Sequence, residues 1–324
     1  MSRVAAIDCG TNSIRLLIAE RDAGSAVLRD VVRVMRIVRL GEGIDRTGEF
    51  SPGALERTFA ACDEYASIIA RESTAQNPIV ALRFVATSAS RDAGNREEFF
   101  AGVLERLGVT PEVIDGNEEA GLSFVGAVRG LPAHLLVPPV LVVDIGGGST
   151  EFVLGIESPT HSVSVDVGCV RMTERHLVSD PPTPGEIDAV EADVSAVLSI
   201  VARRVPVAEA KTLVGVAGSV TTVAAMALDL PTYDPDVLHG AVMTLGEVEE
   251  ATERLLGMTR AERGALPYMH EGRVDVIGGG AMVLRSLMRT FGFSAVIACE
   301  SDILDGIAYR LAFGNSEPQS TLDM

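Results

Sequence analysis

Positive charge is in short supply in this 324-residue sequence: Lys211 is its only lysine, and 27 cationic residues against 45 acidic ones leave a formal net charge of −18. That balance argues against general nucleic-acid binding, which rests on a positive footprint, and it means an anionic substrate must be drawn by local charge or by a metal. Cysteine is sparse too. Cys9, Cys62, Cys169 and Cys299 are scattered without C-x-x-C spacing, which fits reduced, buried thiols better than a disulfide frame or a zinc site. The five histidines form no ligand pattern. Long apolar runs are also missing. The N-terminal "MSRVAAIDCG" has an apolar run that Asp8 interrupts after four residues, too short for a secretory signal, and no run approaches a membrane span. The expectation is a cytoplasmic protein with neither nucleic acid nor membrane as a partner, and the sequence leaves a homodimer open.

Hydrophobic residues make up 47% of the chain and charged residues 22%, enough apolar material for two ordinary cores and no long disordered region. The chain repeats a plan rather than a sequence. Its first half reads as strands over Val4–Asp8, Ile14–Glu20 and Ala26–Val38, a helix over Pro52–Glu72, a strand over Ile79–Ala86, a helix over Arg96–Leu107 and a strand over Glu112–Ile114. Near Val140 the same opening restarts: a strand ending in Asp144, a tight turn, then strands over Glu151–Gly155 and Ser162–Val167. Helices over Pro184–Arg204 and Gly246–Leu256, a strand over Thr212–Val216 and a helix after Gly218 follow. "VRGLPAHLLVPPV" reads as a Pro-rich link and "GNSEPQSTLDM" as a frayed tail.

Within this plan, "LVVDIGGGSTEFVLG" places three glycines and two hydroxyls between apolar strands. Such a turn exposes successive N–H groups with no Cβ in the way, a concave site for an anion. It is not a P-loop, which needs a lysine before the hydroxyl and a helix after it, nor a dinucleotide fingerprint, whose third glycine would fall at Glu151. "AAIDCGTNSIRLLIAE" has the same construction, with Asp8 where the second copy has Asp144. One copy could be an ordinary hairpin. Two copies, each with an aspartate at the strand end and hydroxyls in the turn, are much harder to dismiss.

A facing pair of such hairpins resembles the actin-like phosphotransferases. More closely, the chain resembles the exopolyphosphatase and guanosine pentaphosphate phosphohydrolase family. The resemblance rests on "IDCGTNSIRLLI", "RLGEG", "ATSASRDAGN", "GNEEAGLSFVGA", "VVDIGGGSTEFVLG", "GVAGSVTTVAA", "HGAVMTLGEV" and "RVDVIGGGAMVL", in family order, and covers the chain to about Arg310. It implies an α/β fold of two actin-like, ribonuclease H-like domains facing across a cleft, spanning 1–123 and 124–314 with a tail at 315–324. It also implies hydrolysis of a terminal phosphoanhydride, with inorganic polyphosphate or guanosine pentaphosphate as substrate and Mg²⁺ or another divalent cation as cofactor.

Residue by residue, the resemblance assigns Asp8, Asp144 and Glu151 to the metal, and Thr11, Asn12, Ser13, Gly146, Gly147, Gly148 and Ser149 to phosphate-cradling turns. Turn-initiating aspartates that bond their own backbone are the plainer meaning of Asp8 and Asp144 taken singly. Arg91, Gly218, Ser219 and Arg273 match phosphate-facing positions, and Arg39 borders a Gly-rich loop, whereas Arg29 and Arg33 read as a solvated strand face. Glu119 stands in "VIDGNEEAGLSF", where Asn117 could cap a helix and acidic residues in its first turn would gain about 0.3–1 kcal/mol each from the dipole. The family pattern assigns this glutamate, or else Glu151, to activation of the attacking water. One departure is visible: Leu304, in "SDILDGIA", stands where many relatives carry an arginine. An ATP-using kinase of the same superfamily and a non-catalytic polyphosphate or guanosine tetra- and pentaphosphate sensor remain as alternatives.

Overall fold

The computed structural model describes residues 2–22 and 27–314; the expected tail and the start of the third strand at Ala26 lie outside the described residues. The first sheet comprises β1 (Ser2–Cys9), β2 (Ser13–Arg21), β3 (Leu28–Ile37), β4 (Ile79–Ala86) and β5 (Glu112–Val113). Helices α1 (Ile44–Thr47), α2 (Pro52–Glu72), α3 (Ser88–Asp92) and α4 (Arg96–Leu107) connect its strands, and α5 (Gly116–Gly130) leads out of it. The second sheet comprises β6 (Val140–Ile145), β7 (Thr150–Gly155), β8 (Pro159–Val165), β9 (Thr212–Val216), β10 (Val242–Thr244) and β11 (Ala295–Cys299). Between and after these run α6 (Cys169–His176), α7 (Pro184–Arg204), α8 (Ala217–Ala227), α9 (Pro235–Leu238), α10 (Leu245–Gly257), α11 (Arg260–Gly264), α12 (Ile277–Phe291) and finally α13 (Ile303–Phe313).

Strand order is β3-β2-β1-β4-β5 in the first sheet and β10-β11-β9-β6-β7-β8 in the second. In each, an antiparallel three-strand meander is continued by two parallel strands from its first member, and the second sheet adds β10 antiparallel at its edge. This is the duplicated ribonuclease H-like plan of the actin-like fold. The local reasons are ordinary. β1 and β6 are central and covered on both faces, hence their nearly unbroken apolar runs. Ser51 caps α2 by accepting from Ala54 N, with Pro52 at the first helical position, and Thr183 with Glu186 forms a capping box on α7. All four cysteines are buried and free.

The two halves are not simply adjacent. Alternate residues of β1 face opposite ways, so Ala5, Ile7 and Cys9 join the core beneath α2 and α4, while Val4 and Ala6 pack on Ile303, Leu304 and Ile307 of α13. In β6, Val140 and Val142 pack on Ala120, Phe124 and Ala127 of α5. Each lobe thus receives a helix that the chain places in the other: α5 follows the first sheet yet covers the second, and α13 follows the second yet covers the first. The boundary expected between 123 and 124 therefore falls inside a helix. The expected Pro-rich link is α5 up to Gly130, followed by a turn of 3₁₀ helix over 133–135. The cap of α5 is Asp115 rather than Asn117, its Oδ1 accepting from Asn117 N and Glu118 N at 2.9 Å each, so the helix begins two residues earlier than the motif suggests.

Candidate active site

The α5–α13 pair fills the space between the sheets and floors a cleft that encloses about 830 Å³, including solvent at its mouth. Asp8 and Asp144, at the ends of the two central strands, point toward this pair and line the cleft. So do the turns Gly10–Ser13 and Gly146–Ser149, the start of α8 at Gly218 and Ser219, and Arg273. The turns touch. A Cβ on Gly148 would lie 2.7 Å from Ser88 Oγ and 2.9 Å from Thr11 Oγ1, so only glycine lets the hairpins approach this closely. Gly218 is likewise pressed beneath the Arg273 guanidinium, whose Cζ would be 2.5 Å from an added Cβ. Ala217, beside it, holds a left-handed backbone (φ 71°), a strained conformation for a residue with a Cβ, of the kind that accumulates at ligand sites.

The hairpins share one register. Asp8 pairs with Arg15 across β1 and β2, and Asp144 pairs with Glu151 across β6 and β7. Arg15 Nε and Nη2 both donate to Asp8 Oδ2, at 3.0 and 2.5 Å, and its Nη1 donates to Asp302 Oδ2 at the head of α13. Asp8 Oδ1 is buried and has no hydrogen-bond partner among the described residues. Asp144 Oδ2 accepts from Ser123 Oγ on α5 at 2.5 Å. Burial, reinforced by Asp302, pushes the Asp144 carboxyl up to about 7. Burial also raises Asp8, against the opposing pull of Arg15.

Glu119, on the first turn of α5, lines the cleft and is 8% exposed. Burial pushes its carboxyl up to about 7, resisted by Arg91, whose Nη1 donates to Glu119 Oε2 at 2.7 Å. Glu151 is 1% exposed, accepts from Ser164 Oγ at 2.6 Å and is not among the cleft-lining residues. Burial, followed by repulsion from Glu119 and Asp144, raises it well above the usual carboxylate range.

The arginines are redistributed relative to expectation. Arg91 is not among the cleft-lining residues but bonds Glu119, which is; the same Nη1 also donates to Ile114 O at 3.0 Å, and Asp92 pairs with Arg171 instead. Arg39 holds Asp275 at 2.9 Å, with Arg260 on the other carboxylate oxygen at 2.7 Å. It lines a side hollow that adjoins the cleft along Thr11, Asn12 and Val276. Arg33 is more than a solvated strand residue, since its Nη2 holds Asp305 of α13 at 2.5 Å. Arg29 does pair at the surface, with Glu20.

The oxygen-rich walls suit a hard divalent cation, and the unpartnered buried oxygen of Asp8 is the specific vacancy in their hydrogen bonding. Among the described residues no three His, Cys, Asp or Glu side chains gather to enclose an ion. An ion such as Mg²⁺ does not need that, since it habitually takes one or two carboxylates and completes its shell with water and phosphate oxygens.

Comparison with known proteins agrees with this fold. The Ppx/GppA phosphatase family matches residues 17–313. The chain belongs to that family. It is 48% identical, over 96% of its length and 99% of the relative's, to Exopolyphosphatase 2 of Mycobacterium tuberculosis. Among solved structures, an exopolyphosphatase-like protein superposes with a TM-score of 0.89 at 43% identity, covering 96% of this chain and 98% of the other. An Aquifex aeolicus member of the Ppx/GppA family superposes at 0.78 and 27% identity, over 98% and 99% of the two chains.

Within this family frame, sequence reasoning passed over Arg15, Ser123 and Asp302. The signal for Arg15 was present: it follows Asp8 by seven residues, as Glu151 follows Asp144. Ser123 and Asp302 carry no comparable pattern. Leu304, standing where many relatives have arginine, is 1% exposed and packed into the first lobe's core, so this position offers no cation, and its neighbour Ile303 lines the cleft.

Proposed function

We propose that this protein is a cytoplasmic exopolyphosphatase that releases orthophosphate from the end of an inorganic polyphosphate chain by attack of water. The observation that carries the reading is the placement of Glu119: a buried carboxylate tuned to about 7 stands in the cleft where two glycine-rich turns converge. Amides and hydroxyls of Thr11 to Ser13 and Gly146 to Ser149 cradle the terminal phosphate, assisted by the amide-rich start of α8 at Gly218 and Ser219 and by Arg273. Glu119 orients a water in line with the terminal phosphorus and takes its proton. The new bond forms between water oxygen and phosphorus as the bridging P–O bond breaks toward the shortened chain. Arg91 holds Glu119 in place. Glu151 does not line the cleft and is held by Ser164, so the base role falls to Glu119. Asp8 and Asp144 would hold a divalent cation, which when bound would neutralise part of the phosphate charge. Guanosine pentaphosphate ends in the same phosphoanhydride and is the second substrate to try.

The deciding experiment incubates the purified protein with Mg²⁺ and long-chain polyphosphate, short-chain polyphosphate or guanosine pentaphosphate and follows released phosphate. Phosphate release that depends on the divalent cation supports the reading. Binding without release would make the protein a sensor, and ADP formation from ATP with an acceptor would make it a kinase.

A further inference from the structure

We infer that Arg15 is a positioning residue that aims the free oxygen of Asp8 into the cleft and ties that aim to the head of α13 through Asp302. The inference rests on the polyphosphatase reading above. It begins from the shared register of the two hairpins. Residues directly opposite each other on antiparallel strands project from the same face, so Arg15 occupies in the first hairpin the position of Glu151 in the second. One lobe sets a carboxylate beside its strand-end aspartate, and the other sets a guanidinium.

The way the guanidinium is used distinguishes positioning from a plain ion pair. A planar fork usually engages both oxygens of a carboxylate. Here Nε and Nη2 converge on Oδ2 alone, leaving Oδ1 buried and unpartnered on a residue that lines the cleft. The remaining arm reaches Asp302 Oδ2, while Asp302 Oδ1 accepts from Leu304 N at 3.0 Å and so caps α13. The next acidic residue of that helix, Asp305, is held by Arg33 and itself accepts from Asp302 N at 2.9 Å. Arg15 is thereby fixed from the second lobe's helix, and Asp8 is fixed by Arg15. Lysine, a point charge without the fork, cannot make this three-way contact.

The test measures Mn²⁺ affinity by electron paramagnetic resonance, together with melting temperature, kcat and KM, for the parent protein, Arg15→Lys and Asp302→Asn. Loss of a residue that orients a metal ligand costs about 10- to 100-fold in affinity, and Arg15→Lys is expected to weaken Mn²⁺ binding in that range. It should lower kcat while leaving KM for polyphosphate near the parent's. Asp302→Asn keeps the helix cap and should weaken Mn²⁺ binding in the same direction but less, and it decides alone if Arg15→Lys does not fold. Parent-like Mn²⁺ affinity in the folded variants, even with a lowered melting temperature, overturns the role of Arg15 and leaves the functional reading standing. A parent that binds no Mn²⁺ and releases no phosphate overturns both.

Discussion

Replacing Glu119 by Gln keeps the side chain's volume and its place on the first turn of α5 while removing the oxygen that accepts a proton. If Glu119 is the base, kcat should fall by roughly 10² to 10⁴, the span of a lost general base, while polyphosphate still binds. A folded variant turning over at nearly the parent rate would move the role to Glu151. The same carboxyl predicts a pH profile: because burial holds it at about 7, kcat/KM should rise with pH through that region as the carboxylate forms. Stability should run the other way. Glu119 and Asp144 titrate near 7 when folded, against ordinary values of 4.5 and 3.8, so the folded state binds these protons more tightly. Their contribution is complete below the unfolded values and is lost as pH rises through about 7. In metal-free buffer the melting temperature should therefore drop between pH 5 and pH 8. A melting temperature that climbs across this window would show that these carboxyls do not carry raised values.

At the scale of elements, the exchange of α5 and α13 builds the site, and two glycines permit it. A Cβ on Gly126 would lie 1.9 Å from Asp302 O, and one on Gly306 would lie 2.0 Å from Leu122 O, in both cases backbone that cannot turn aside. The helices cross with their backbones nearly in contact, which brings Ser123 to Asp144 from one side and Asp302 to Arg15 from the other. Gly306→Ala should force the crossing apart, costing about 1–3 kcal/mol as overpacking usually does. Because Asp302 caps the same helix, kcat should fall with it. Thermal melting beside steady-state kinetics checks this, and a variant with parent stability and turnover would mean that the helices separate freely.

Over the whole molecule, a net charge of −18 opposes a polyanionic substrate, so capture depends on local positive charge and on the cation. The lobes are also held by charge across the cleft mouth. Arg171 of α6 meets Asp45 at 2.7 Å and Asp92 at 2.9 Å, and its Nε donates to Gly148 O at 2.7 Å, while Glu174 accepts from Gly43 N. Arg171→Ala should loosen the Gly146–Ser149 turn and raise KM, and Arg273→Ala should raise KM more for long polyphosphate than for short chains. Added salt should weaken long-chain binding most, since exposed charges are screened beyond about 8–10 Å at physiological ionic strength. Equal salt effects on long and short chains would argue against an extended binding path.

The sequence by itself determined the duplicated plan, because strand-end aspartates, glycine-rich turns and apolar periodicities are local properties. β9 and α7 fall where the pattern places them, and Asp8, Asp144, Glu119 and both turns meet in one cleft. Tertiary structure alone decided which helix covers which sheet, since that packing joins residues far apart in the chain, and the close crossing of α5 and α13 rests on backbone contacts at Gly126 and Gly306. It likewise decided which charges meet. Arg39 to Asp275 and Arg15 to Asp302 join residues more than 200 positions apart, and Arg91 turns to Glu119 rather than to Asp92. An arginine in a motif announces a charge seeking an anion. Only the folded chain specifies whether that anion is a phosphate or a neighbouring carboxylate.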